Sequence, residues 1–453
     1  MAATILNLAN NPELRTLLSD MMYRQMWRGH RMSRWLAPEF VRQNRPKEEV
    51  DSIGPKSGAK WTGAPVEVQN AFIQEGRTDY LVPIKNRLTQ HEIFGNDPRS
   101  GNAESLAYGF QAVYINRSWK GVAPPTGTDF QKVKQWAKSL VGENRSDLTD
   151  YLRDNISSSV YLALVTGWSR DLLNTVGGGG KKAIRSHPNM FVAGYGQVGM
   201  NAQGTDYATG ARPGTAAYET AVANAINGLT DPTAQGMTVK FVKNLAAAAS
   251  RLKIAKIAME SGFSFYPLWI KDVAWEQLQN DPDFGSLAKS LFISELSKHP
   301  LGNGMNIFIG ECAVYSDNEM PCAYTVADDA TVTSTVEYGP RPTSADRAAG
   351  FSFNSSTGRT LDTGNKATCA LIGQSCMTVG VAHKPNFTEE EKDHGNVHEL
   401  GVEWYQSIVR DEVYDTLGLI VNPVTGSNFA AGDFYENTSS LVGVTCSPYA
   451  LGY

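Results

Sequence analysis

The chain has 453 residues, of which 42% are hydrophobic, 10% aromatic and 19% charged, a globular composition poorer in charge than the usual figure of about 25%. A disordered or coiled-coil protein is thereby excluded, and the length suffices for a large core, arranged in about two or three domains or as one large domain with insertions. The formal charge of −5 argues against binding DNA by bulk neutralisation, which requires clustered Lys and Arg.

No apolar run approaches the length of a membrane span, and the first residues, MAATILNLANNPELR, lack the basic and apolar regions of a secretion signal. A soluble, non-secreted protein is expected, with no membrane partner. Five cysteines, Cys312, Cys322, Cys369, Cys376 and Cys446, match no zinc-ribbon or CxxC spacing and are expected to pack as small apolar side chains, with a disulfide as the alternative.

Residues 1–77 read as an arm, because short apolar clusters are broken by Pro38, Pro46, Gly54, Pro55, Gly58 and Gly63. Between Met21 and Lys47 it carries Arg24, Arg28, Arg31, Arg34, Arg42, Arg45 and Lys47 against Glu39 alone, a net +6 that leaves −11 elsewhere. Such an arm suits an acidic neighbouring surface, the other readings being a solvated basic face and a contact with nucleic acid. Residues 78–123 carry a hairpin signal: Tyr80–Leu88 and Phe110–Trp119 are rich in strand formers, and Gly95–Asn102 between them is dense in turn residues. Both alternating faces of the second stretch are partly apolar, so each face needs a cover, which a second subunit can supply.

A helical period runs from Asp129 to about Trp168, through Phe130, Val133, Leu140, Leu148, Leu152, Ile156, Val160 and Leu164, with a break expected at Gly142–Ser146. Thr238–Met259 predicts a second amphipathic helix holding Lys240, Lys243, Arg251, Lys253 and Lys256 and no acid. It faces solvent, an acidic neighbour or DNA. Signals at Phe263–Ile270, Val273–Gln279, Phe284–Ser297 and Asn306–Tyr315 then alternate as in a compact α/β subdomain. Ser316–Lys366 is polar and reads as a surface insertion with a hairpin. Apolar strands return at Thr368–Ala382, Leu400–Val413, Leu417–Val421 and Leu441–Cys446.

Three motifs suggest chemistry and fail on inspection. GYGQVG, Gly194–Gly199, spells a dinucleotide fingerprint, but turn-forming residues follow where a helix must start. GGGGKK, Gly177–Lys182, has Thr175 where a phosphate loop needs its first glycine and Lys182 where it needs Ser or Thr. His394 and His398, near Glu389–Glu391 and Glu399, are separated by Gly395 and Asn396, which deny them a shared helix face for a metal. No residue is assigned a catalytic, cofactor-binding or metal-binding role, and no enzyme is expected.

A series of short matches carries more. Val82, Pro83, Ile84 and Leu88 precede Gly95, Gly101–Leu106 (GNAESL) and Gln111–Ile115 (QAVYI). Later come Tyr266–Leu268, Leu278–Phe284 (LQNDPDF), Ile307–Glu311 (IFIGE), Leu371–Gln374 (LIGQ) and Asp393–Asn396 (DHGN). In this order the chain resembles the major capsid proteins of tailed bacteriophages with the HK97-like fold, more narrowly the family of large short-tailed phages, over roughly residues 78–422. The arm and the polar insertion have no counterpart.

The resemblance implies an α+β chain with an N-terminal arm at 1–77, an extended hairpin loop at 78–123, a peripheral domain with a spine helix at 124–262 and 383–453, and an axial domain at 263–382 that includes the insertion 316–366. It implies self-assembly into the hexamers and pentamers of an icosahedral head around double-stranded DNA, in the virion, after assembly in the host bacterial cytoplasm. The implied partners are further copies of the chain, portal, scaffolding and decoration proteins, and packaged DNA held non-specifically on the inner face. The competing readings are a multidomain α/β enzyme of unknown type and a tail-associated or extracellular binding protein.

Overall fold

The computed structural model describes residues 61–62, 65–69, 79–85, 108–114, 116–122, 140–166, 186–199, 216–259, 264–284, 305–327, 334–339, 360–361, 366–392, 397–410, 420–421 and 439–446. Its first half contains β1 (Trp61–Thr62), β2 (Val66–Gln69), β3 (Asp79–Lys85), β4 (Tyr108–Tyr114), β5 (Asn116–Val122), α1 (Leu140–Thr166), β6 (Met190–Val192), β7 (Gly196–Gln197), α2 (Ala216–Asn227) and α3 (Val239–Arg251). The second half contains β8 (Ile257–Met259), β9 (Ser264–Ile270), α4 (Asp272–Gln279), β10 (Ile307–Ile309), β11 (Cys312–Ser316), β12 (Cys322–Ala327), β13 (Ser334–Gly339), β14 (Thr360–Leu361), β15 (Lys366–Ile372), β16 (Met377–Lys392), β17 (Val397–Arg410), β18 (Ile420–Val421) and β19 (Ser440–Cys446).

The core is a three-layer arrangement around a large mixed sheet whose main path runs β1-β8-β9-β15-β19-β6-β7, with β10 to β14 branching from it. Strand alternation divides its buried side chains between two faces. Phe265, Trp269, Ala313, Tyr315, Ala370, Ile372, Val442 and Val444 join one apolar cluster with Leu152, Ile156 and Leu164 of α1 and Tyr218, Val222 and Ile226 of α2. Tyr266, Leu268, Ile270, Cys312, Val314, Cys369, Leu371 and Leu441 join the other with Val242, Leu245 and Ala249 of α3 and Leu278 of α4. Covered on both sides, β9, β15 and β19 are near-continuous apolar runs.

The helices start and stop for local reasons. Thr238 is extended and its hydroxyl accepts from the Phe241 amide at 3.2 Å, while Asp281 Oδ2 takes the Val239 amide at 2.7 Å. These satisfy donors that the first turn of α3 leaves open. The chain leaves α3 at Leu252 and turns at Lys253, whose φ is +56°. Helix α1 is 27 residues long, about 40 Å at 1.5 Å per residue. Leu148, Leu152, Ile156, Val160 and Leu164, spaced by four, form its buried stripe.

A second sheet, ordered β2-β16-β17-β5, packs against α1. Its long hairpin β16–β17 is antiparallel, and β2 runs parallel to β16 from Met377↔Val66 to Gly380↔Gln69. At the last residue of β17, Arg410 is the largest fully buried side chain, and its Nη1 donates to the Leu164 carbonyl at 2.6 Å and to that of Val165 at 3.4 Å. The Thr166 hydroxyl donates to the Leu162 carbonyl at 2.7 Å. A buried cation thus closes the negative end of the spine helix.

On the opposite flank, Trp269 of β9 stacks on Tyr315 of β11 at 5.0 Å and meets Tyr161 of α1 at 5.8 Å. The Tyr161 hydroxyl donates to Asp317 Oδ2 at 2.7 Å. Lys271, also buried, donates to the carbonyls of Asn318 and Met320 at 2.9 and 2.8 Å. The turn 317–320 therefore pins α1 to the central sheet.

Several sequence expectations need correction. The helix α1 runs without a break through Gly142–Ser146, because its buried stripe supplies tertiary support that local propensity lacks. Lys253 and Lys256 are not on the second helix, which ends at Arg251. The stretch Phe110–Trp119 is two strands: β4 pairs with β3, whereas β5 crosses to β17. Thr368–Ala382 likewise divides, through a turn at residues 373–376, between the central sheet and β16. The insertion does form a hairpin, β12–β13, but Met320, Cys322 and Ala323 at its start are buried and β12 pairs with β15. At the end of the arm, β1 pairs with β8 and Val66 is 1% exposed. The last strand, β19, lies between β15 and β6 in the central sheet. The rest of the arm, residues 1–60, and Phe284–Ser297 beyond Phe284 lie outside the described residues.

Two expected outcomes follow. Arg410→Met removes charge-assisted bonds from buried carbonyls and should destabilise the subunit by about 3 kcal/mol in urea unfolding; a change below about 0.5 kcal/mol would show that the cap contributes little. All five cysteines are buried and none forms a disulfide, and burial drives the thiol of Cys369 up to about 12 and raises that of Cys312. A thiol reagent at about pH 8 should therefore titrate none of them in the folded protein and all five in denaturant.

Candidate assembly surface

The four-stranded sheet presents one face to α1 and the other outward. In β17, Val402 and Trp404 are buried toward the helix, where Trp404 meets Tyr151 edge-on at 6.4 Å and Lys120 of β5 sits 5.2 Å from the same tyrosine ring. Alternation places the intervening residues on the outer face. There the register pairs Trp119 with Glu403, Arg117 with Tyr405 and Gly121 with Gly401.

This outer patch is built around Glu403. Arg117 Nε meets Glu403 Oε1 at 2.5 Å, and the Tyr405 hydroxyl donates to the same oxygen. That hydroxyl is held above its usual range chiefly by the bond to Glu403. Trp119 is 51% exposed and lies across Gly401, where a Cβ would come within 2.7 Å of its indole nitrogen and 2.6 Å of the Thr388 hydroxyl. Glycine is required for that close approach. The result is a platform of the Trp119 indole and Arg117 guanidinium on the edge strand β5 and the Tyr405 phenol on β17, a composition enriched at protein interfaces.

Beside it stands the three-stranded sheet β18-β4-β3. Its register alternates Leu81↔Ala112 and Pro83↔Phe110 with Tyr80↔Val113 and Val82↔Gln111, so both register sets include apolar residues. Pro83 sits on the edge strand β3, where proline is tolerated. The connection 86–107 lies outside the described residues.

Two helix surfaces carry opposite charge. Along α1, Asp147, Asp150 and Asp154 are exposed, with Arg153 bonded to Asp150 at 3.0 Å and to Asp154 at 3.2 Å. Glu319 lies near this face; burial, then Asp154 and Asp317, raises its carboxyl above the ordinary range, with Lys271 and Arg153 opposing. Across the central sheet, α3 exposes Lys240, Lys243 and Arg251.

The motifs that suggested chemistry are placed as follows. GYGQVG supplies the turn and second strand of the β6–β7 hairpin, with Gly194, Gly196 and Gly199 at φ of +84°, +87° and +81°, and residues 200–215, where a nucleotide site would need its helix, lie outside the described residues. Gly177–Lys182, His394 and Gly395–Asn396 lie outside the described residues. His398 pairs in register with Glu391 across β16–β17. Among the described residues, no group of three His, Cys, Asp or Glu is placed to hold a metal, and no helix is long and apolar enough to cross a membrane. Trp119 as a surface residue and Arg410 as a cap were missed in the sequence; for Trp119 the available signal was the alternation in Asn116–Val122.

Neither a family model nor a curated protein matches the sequence. Solved structures do match. The chain superposes on a capsid chain of Ralstonia phage GP4 with a TM-score of 0.50 at 15% identity, covering 87% of this chain and 96% of that one. It superposes on a capsid chain of Helicobacter pylori bacteriophage KHP30 with a TM-score of 0.50 at 12% identity, covering 84% and 88%. The fold is that of phage capsid chains, an α+β architecture of the HK97-like kind expected from the sequence.

Glu319 supplies a pH test. A carboxyl whose pKa is higher folded than unfolded binds more protons in the native state, so stability falls as pH rises through that window. Glu319→Gln should therefore raise the melting temperature at about pH 7, with a gain that shrinks toward about pH 4. An equal gain at both values would assign the effect to something other than the carboxylate charge.

Proposed function

We propose that this chain is the major capsid protein of a tailed bacteriophage, which self-assembles into the hexamers and pentamers of an icosahedral head enclosing a double-stranded DNA genome. The observation that carries the proposal is the fold, shared over nearly the whole length of a phage capsid chain. The role is structural and its place is the virion. Portal, scaffolding and decoration proteins are the proposed partners, with assembly in the host bacterial cytoplasm.

The architecture supports a division of labour. The helix α1 with β2, β5, β16 and β17 makes the peripheral body, and β3–β4 with its connection makes the extended loop that laps onto a neighbour. The central sheet with α2, α3 and α4 makes the axial body, to which β6, β7 and β19 belong along with the strands of 263–382. Icosahedral shells are closed by heterologous contacts repeated between identical subunits. The outer patch around Trp119 and the apolar register sets of β3–β4 are surfaces suited to such contacts.

Negative-stain microscopy of the purified protein tests the reading: polyhedral particles, capsomers or tubes are expected, and a persistent monomer at high concentration contradicts it. Deleting residues 79–114 should abolish shells while leaving a folded subunit by circular dichroism. Trp119→Glu should do the same, since a charge on the platform costs a contact but buries nothing in the free subunit. Normal shells from both variants would refute the assigned contacts.

A further inference from the structure

We infer that the exposed face of α3 is a sequence-independent contact for double-stranded DNA, a reading that rests on the capsid assignment and specifies which surface of the subunit meets the genome. The helix VKFVKNLAAAASR contains three cations and no acid. Val239, Val242, Leu245, Ala246, Ala248 and Ala249 bury one face. The opposite strip holds Lys240, Lys243 and Arg251, all exposed, separated by the exposed short side chains of Asn244, Ala247 and Ser250. Lys253, in the turn just past the helix, is exposed as well. The cations span about 16 Å along the axis, and nothing bulky stands between them.

This charge placement opposes the fold's own preference. Lys240 and Lys243 lie near the positive end of the helix dipole, where acids are stabilising. The near anions are Asp281, already bonded to the Val239 amide, and the exposed Asp283. Glu311 is taken by Lys256 at 2.8 Å. Among the described residues no carboxylate forms an ion pair with Lys240, Lys243 or Arg251. A local rule broken without compensation among the described residues points to an anion outside them.

The anion is a nucleic acid rather than the acidic face of a second copy. The candidate protein surface, Asp147, Asp150 and Asp154 on α1, already holds Arg153 between two of its carboxylates. Duplex DNA offers an unneutralised row with one charge per about 1.7 Å of axis, to which a straight strip of cations can bind in any register. Phosphate contacts of this kind read no sequence, as packaging of a whole genome demands.

The test uses the full chain as unassembled subunits and a fluorescent duplex of random sequence, titrated across salt concentrations. The triple variant Lys240→Gln, Lys243→Gln, Arg251→Gln should bind at least about tenfold more weakly at low salt, with a salt slope smaller by about 3. A thermal melt matching the wild type would place the effect at the exposed face. Unchanged affinity and slope, or a wild type that does not bind the duplex, would overturn the inference. Lost shells with unchanged duplex binding would instead make α3 a contact between copies and overturn it equally. Shell formation by the wild type is scored separately, and its absence counts against the capsid assignment rather than against the face.

Discussion

Everything in this subunit depends on burying α1 between two sheets. A helix of 27 residues gains little from its backbone alone, and its stability comes from the faces it covers. The stripe from Leu148 to Leu164 packs on Val402, Trp404 and Ile408 of the four-stranded sheet and reaches Phe265 and Trp269 of the central one. Such burial leaves the last-turn carbonyls away from water, and an uncapped buried end is costly. Arg410 meets these carbonyls with a cation placed at the negative end of the helix dipole.

That solution has a mechanical consequence. Because Arg410 is the last residue of β17, the cap fixes the long β16–β17 hairpin to the end of the spine, while Lys120, Tyr151 and Trp404 fix it near the middle. The Tyr161–Asp317 bond and the Trp269–Tyr315 stack fix the same helix to the central sheet. One rod thus carries both bodies, and stress applied to either is transmitted through packed side chains rather than through a flexible linker.

The elements were largely legible in sequence where their cause is local. The run Phe263–Ile270 and the amphipathic period that begins at Thr238 each carry their reason within a few residues. What was not legible is long-range. Nothing near Arg410 shows that it serves Leu164, 246 positions earlier, and the pattern of Phe110–Trp119 is equally consistent with one strand or two until its partners are known. The four-residue strand Val66–Gln69 reads as arm because its stabilising neighbour, Met377–Gly380, lies some 310 positions away. The assembly platform was half visible: alternation in Asn116–Val122 separates Trp119 from Lys120, but the need for Gly401 beneath the indole emerges only from the β5–β17 register.

The small net charge of −5 conceals a sorted surface. Within the described residues the acids of α1 and the cations of α3 lie in layers on opposite sides of the central sheet. On α1 the charges are partly paired, Arg153 with Asp150 and Asp154, whereas α3 carries cations alone. Grouping the cations of α3 on one face costs stability, since like charges on one helix repel. A helical layer on each side of one sheet thus gives a single fold two chemically different faces.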